Sequence, residues 1–173
     1  RAAVVRSLIR NPDLLLLDEP FSNLDTVNKK YVKEIVFDII KESNLTTIIV
    51  NHDIEESLEI SDKIMIINDG KIDAIDTPEN IYNHPKNLST AQLFGDVTSL
   101  AIQNKKRYIR PENIKIVEKS IYDIEVNNSF YLGEKYRISA KLGSDIINLY
   151  HNTNIKKGSK LFIDFNEEDI LGF

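Results

Sequence analysis

Residues 14–25 read LLLLDEPFSNLD. Four leucines followed at once by Asp18 and Glu19 leave the backbone few options. An unbroken apolar run, bounded by Pro20 and turn formers, is the pattern of a buried strand in a parallel sheet. It is far too short to cross a bilayer. A carboxylate is costly to bury without a partner. Asp18 and Glu19 must therefore lie at an exposed strand end or face a cation.

The neighbouring segments fit a sheet of that kind. RAAVVRSLIR places Ala2, Val5, Leu8 and Ile9 on one helical stripe, which Asn11-Pro12 ends. A second helix is predicted over Thr26–Ser43, where Val27, Tyr31, Val32, Ile35, Ile39 and Ile40 recur at helical spacing. Asp25 or Thr26 caps it. TTIIV is a second buried strand, ending at Asn51-His52-Asp53. IEESLEIS is a short helix. KIMIINDGKIDAI is a hairpin turning at Asp69-Gly70, and Pro78 opens a further helix. Alternating strand and helix make an α/β class up to about Gly95.

From about Val97 the helical period fades and a period of two replaces it. Tyr122, Ile124 and Val126 alternate with acids, and Tyr136, Ile138, Ala140 and Leu142 with polar residues. KLFIDF is a similar short segment, and turns fall at Gly133, Gly143 and Gly158. Short strands so spaced predict a small antiparallel barrel or sandwich with its Tyr and Phe residues in the core. The domains expected are 1–96, α/β, and 97–173, all-β.

Composition narrows the partners. Acidic residues outnumber basic ones by 27 to 22, a formal net charge of -5, which argues against a global nucleic-acid footprint. The run Lys105-Lys106-Arg107 has no interleaved aromatic platform, so no nucleic-acid partner is expected. No cysteine is present, which excludes disulfides and thiolate metal sites. There is no long apolar span, so a membrane role would run through a partner.

Ligands of open α/β sheets bind at the carboxyl ends of the strands. Two strands here end in Asp18-Glu19-Pro20 and Asn51-His52-Asp53. If they are neighbours, carboxylates and an imidazole converge on one rim. That set suits a metal–phosphate site: one acid holds Mg²⁺ directly or through water, a second orients water, and the imidazole bonds a phosphate oxygen.

LLLLDEPFSNLD followed by TTIIVNHD resembles the ATPase subunits of ABC transporters. RAAVVRSLIRNP, SDKIMIINDGKI and DTPENIYNHP resemble the segments around those motifs. The resemblance runs to about Gly95 and implies roles. The apolar strand with Asp18 is the Walker B motif, Asp18 supporting Mg²⁺ through its water shell. Glu19 polarises the attacking water, His52 is the switch histidine on the γ-phosphate, and Ser22 and Asp25 belong to the D-loop facing a second subunit. LFGDVTSL and YIRPENIKI, with Arg110-Pro111-Glu112, resemble the entry into the accessory barrel of importer ATPases. That barrel is of the oligonucleotide/oligosaccharide-binding (OB) type called TOBE, with regulatory and dimer-contact roles.

Departures from the family are as telling. No G-x-x-x-x-G-K-[ST] loop, signature stretch or Q-loop appears. The chain therefore reads as a C-terminal fragment of such a subunit, with negligible ATP binding alone, because that loop supplies the N–H groups and lysine that cradle phosphates. In the family the phosphate-loop strand lies between TTIIV and KIMII, so the α/β half is expected to be the less stable, or to be stabilised by another chain. The resemblance implies ATP and Mg²⁺, a homodimer of ATPase subunits, membrane permease subunits and, indirectly, a solute-binding protein. It places the protein on the cytoplasmic face of the membrane, importing a sugar, polyamine, iron or oxyanion. Two other readings stand: a regulatory or dimerisation module only, and a soluble non-transport ABC-type ATPase. On the bland reading, Asp18 and Glu19 merely end a strand, Ser22 and Asp25 cap a helix, Arg110 is an ion-pair partner, His84 is a loop residue, and His151 lies on a barrel strand or turn.

Overall fold

The structure, a computed structural model, describes residues 12–22, 25–43, 45–102 and 105–173. The helix expected over the first ten residues lies outside them. By packing, the chain divides into two compact units, residues 1–62 and 63–173.

In the first unit β1 (Leu14–Asp18) pairs in parallel with β2 (Thr46–Val50), Leu14 opposite Thr46 and Asp18 opposite Val50. Parallel neighbours need a long crossover, and α1 (Thr26–Ser43) supplies it. Phe21, Val32 and Val36 form a small buried cluster, with Phe37 and Ile40 packed against it. A second short helix, α2 (Ile54–Ile60), follows β2. The expectation of a buried strand needs correction. Leu15 and Leu17 are buried, but Leu14 and Leu16 are 45% and 66% exposed, and Ile48 and Val50 on β2 are exposed as well. Successive side chains of a strand point to opposite faces, and only one face of this two-stranded sheet is packed.

The second unit opens with the hairpin β3 (Ile64–Asn68) and β4 (Lys71–Asp76). Asp69 and Gly70 turn it with φ of 48° and 73°, the paired positive values of a tight hairpin turn. Thr77 caps α3 (Pro78–Asn83), and Asn87 caps α4 (Leu88–Leu93). β5 (Thr98–Ile102) and β6 (Lys105–Ile109) form a hairpin. β7 (Lys115–Val117), β8 (Tyr122–Tyr131), β9 (Tyr136–Leu142), β10 (Asp145–His151) and β11 (Lys160–Asp164) form one antiparallel sheet, ordered β10-β9-β8-β11-β7. Thr98 Oγ1 donates to the Asn148 carbonyl at 2.7 Å and accepts from the Asn148 N–H at 3.0 Å, seating β5 along β10. The sheet curls around Leu100, Ile109, Ile114, Ile124, Val126, Ile138, Ala140, Ile147, Leu149 and Ile163. The period-two reading of Ile124, Val126, Ile138 and Ala140 holds. Placing the aromatics in the core does not: Tyr122, Tyr136 and Phe165 lie at its margin, and Phe130 and Tyr131 are exposed. β-Branched and aliphatic side chains fill the narrow interior of a small curled sheet, and rings fit at its ends.

Arg110 is 2% exposed. Among the described residues it makes no ion pair, contrary to the bland reading. Its guanidinium donates to the carbonyls of Ala91 at 2.8 Å, Tyr82 at 3.1 Å and Asp96 at 3.4 Å, and it stacks 4.2 Å from the Tyr82 ring centre. Tyr82 in turn donates its hydroxyl to Glu112. Burial and that carboxylate push the Tyr82 hydroxyl up to about 12. The Arg-Pro-Glu triplet thus stitches α3 and α4 to the curled sheet, which is why the compact unit begins well before the change of pattern at residue 97.

Candidate functional site

Parallel neighbours deliver their carboxyl ends to one rim. The Glu19 N–H donates to the Val50 carbonyl at 2.9 Å, adding one rung beyond β1. The backbone then turns sharply, Glu19 taking a φ of 42° just before Pro20. A non-glycine residue in that region carries strain of roughly 1 kcal/mol or more. The Glu19 carboxylate Oε1 meets His52 Nδ1 at 3.0 Å, across 33 positions of sequence. The two side chains are 44% and 71% exposed, so both remain open to a ligand. With a neutral ring, Nδ1–H donates to Glu19 and Nε2 is left as an acceptor; protonation turns Nε2 into a second donor.

The other expected residues are placed as follows. Asp18 is the exposed last residue of β1. Ser22 stays local, its hydroxyl donating to the Glu19 carbonyl at 3.0 Å. Asp25 accepts the Lys29 N–H on its carbonyl at 2.7 Å, opening the first turn of α1. The structure thus joins Glu19 to His52 directly and ties Ser22 to the Glu19 backbone. His84 caps the end of α3, and His151 ends β10 beside Thr153. Among the described residues no group of three or more His, Asp or Glu is placed to cage a metal. One exposed carboxylate at a strand end fits Mg²⁺, which keeps most of its waters and takes one or two carboxylates together with phosphate oxygens.

Around His52 lies a charged network that the sequence reading missed. Asn51 accepts the Asp53 N–H on its side-chain oxygen at 3.0 Å and donates its amide to Glu56. Asp53 caps α2, its carboxylate accepting from the Glu56 N–H at 3.1 Å. Lys29, on the first turn of α1, donates to Asp53 Oδ2 at 2.8 Å. Glu56 is 3% exposed, and its Oε1 has Lys29 and Lys33 at 3.8 and 3.9 Å. The hydrogen bond from Lys29, helped by the Glu56 N–H, holds the Asp53 carboxyl below 3.8, and its bond to Asp53 holds the Lys29 ammonium above 10.5. The available signal was two lysines four apart on one helix and two acids three apart on the next.

An acidic pair and a histidine on one parallel-sheet rim suit phosphate chemistry, and comparison with known proteins shows the class: over nearly its whole length this chain resembles ATP-binding subunits of ABC importers. The relatives include the spermidine/putrescine import ATP-binding protein PotA of Aster yellows witches'-broom phytoplasma, 32% identical over 98% of this chain and 47% of that protein. PotA of Mycoplasmopsis synoviae is 35% identical over 93% of this chain and 34% of its own length. The sulfate/thiosulfate import ATP-binding protein CysA of Mesostigma viride is 31% identical over 98% and 56%. The chain spans about half the length of the curated relatives it matches, 47% in the phytoplasma protein. No protein-family model matches it. A solved metal-chelate type ABC transporter in an inward-facing conformation aligns with 61% of this chain and 41% of its own, at 22% identity and a TM-score of 0.45, too low to carry an argument.

Proposed function

We propose that this chain is the Walker B, D-loop and H-loop portion of an importer ATPase, followed by its accessory barrel. The observation that carries the reading is the 3.0 Å contact of Glu19 with His52 at the carboxyl ends of adjacent parallel strands. In it Glu19 polarises the attacking water, and its bond to Nδ1 turns the His52 Nε2 toward the γ-phosphate. Asp18 would hold Mg²⁺, which would supply charge neutralisation for the phosphates. Ser22 and Asp25 form the D-loop that meets a second ATPase subunit. Residues 1–96 act as the nucleotide-binding part, and residues 97–173 as an OB-like TOBE barrel with regulatory and dimer-contact roles. ATP-driven closure is passed to membrane permease subunits at the cytoplasmic face, with a solute-binding protein upstream of them. No described helix is long and apolar enough to cross a membrane, which is consistent with attachment through partners. The names of the relatives make polyamines the first solute to test and oxyanions the second.

The test is Glu19→Gln in the full gene product that carries this chain. The amide keeps the shape and loses the base. ATP turnover is expected to fall by about 10³-fold while nucleotide binding stays within about twofold. Turnover within tenfold of the parent would remove Glu19 from its role.

A further inference from the structure

We propose that Lys29 is a positioning residue for His52, tying the first turn of α1 to the histidine that meets Glu19. The inference rests on the functional reading above and deepens it. His52 is itself 71% exposed, and the one side-chain contact described for it is Glu19. Its aim is therefore set by the backbone of residues 51–53, and the side chains on either side of it fix that backbone. Asn51 bonds the Asp53 N–H and Glu56, while Asp53 bonds the Glu56 N–H and Lys29.

Lys29 is the member of this set that reaches α1 from Asp53. It also stands 3.8 Å from Glu56 Oε1, a buried oxygen with no hydrogen-bond partner of its own. A buried carboxylate needs nearby cations, and loss of one is costly. Lys33 gives Glu56 a second, at 3.9 Å, but its own hydrogen bond goes to the exposed Glu59. Lys29 therefore does two things at once: it balances Glu56 and it bonds the residue next to His52. It stands one turn beyond Asp25, whose carbonyl accepts its N–H. A shift at the start of α1 is passed through Lys29 and Asp53 to the imidazole.

The experiment is a double-mutant cycle on ATP turnover in the full gene product, with rates normalised to nucleotide sites filled. Lys29→Met is expected to lower kcat about tenfold with KM within twofold, the size seen when a group that orients a functional ligand is lost. Lys29→Arg is expected to restore kcat to within about threefold, since the guanidinium keeps charge and reach. In a His52→Ala background, Lys29→Met is expected to cost nothing further, because groups acting through one another are not additive. A merely structural lysine would lower both backgrounds by the same factor, and that result overturns the proposal. Should Lys29→Met not fold, Asp53→Asn, which keeps the helix cap and loses the charge, is read in the same cycle with the same two outcomes. If His52→Ala itself turns over at the parent rate, the site reading falls and this proposal with it. If His52→Ala is slow while Lys29→Met is not, this proposal alone falls.

Discussion

Arg110 shows how one side chain decides which segments fold together. Three backbone carbonyls, from Ala91, Tyr82 and Asp96, converge on its guanidinium inside the second unit. Arg110→Ala leaves those carbonyls facing a void, and the expected loss is about 3 kcal/mol, read as a shift of the urea midpoint. Arg110→Lys should recover only part of it, because an ammonium cannot fork to three acceptors spread across a plane. A midpoint unchanged in Arg110→Ala would show that water satisfies the carbonyls. At this scale the sequence was informative where a residue had a chemical signature. The places of Glu19 and His52 after two apolar runs put them on one rim if the strands are neighbours, and in the structure the two side chains meet at 3.0 Å. Lys29 has no such signature, because a lysine on a helix face has many possible partners and only the folded chain brings Asp53 to it.

At the scale of elements, the Lys29–Asp53 bond joins α1 to the start of α2, and its pH range follows from the two shifts. A depressed carboxyl contributes stability above its unfolded value and loses it as pH falls through the folded one. Asp53 is therefore released below 3.8. A raised ammonium contributes below its unfolded value, 10.5 for Lys29, and loses it as pH rises through the folded one. Between those limits the tie is complete. Amide protection at residues 53–57 is expected to hold steady from about pH 5 to 9 and to weaken on acidification past 3.8, measured by exchange normalised for intrinsic rate. In Lys29→Met that acid-induced loss should be smaller, because without the ammonium the Asp53 carboxyl is held less far below 3.8. The elements themselves were largely legible: β1, β2, the hairpin at Asp69-Gly70 and the start of α3 fall where the apolar periods and turn residues put them. β10 is legible only at His151, which reads as strand or turn, because Asn148 and His151 blur the alternation that Ile147 and Leu149 carry into the core.

Over the whole molecule the two units are built to different standards. The first holds a two-stranded parallel sheet with exposed Leu14, Leu16, Ile48 and Val50. The second holds a five-stranded antiparallel sheet whose central side chains are fully buried. A pair of strands is marginal in water, and three or more around a shared core are not. Hydrogen exchange is therefore expected to be faster at 14–18 and 46–50 than at 124–126, 138–140 and 147–149. The reverse order would mean that the exposed apolar face is covered in solution. Within the second unit, Ile138→Ala should cost about 3 kcal/mol by thermal or urea unfolding, since the residue has no solvent exposure and its neighbours can collapse only partly.

The sequence by itself determined where β1, β2, α1 and the Asp69-Gly70 hairpin fall, which chemistry ends the first two strands, and which class of subunit the chain resembles. Those properties are local: apolar period, turn residues and the order of charged groups are written along the chain. Only the tertiary structure decided that β1 and β2 are parallel neighbours, that one face of that pair stays exposed, and that Arg110 serves carbonyls instead of a carboxylate. Those outcomes depend on which distant segments share a surface, and no single stretch of sequence encodes the free energy of that choice.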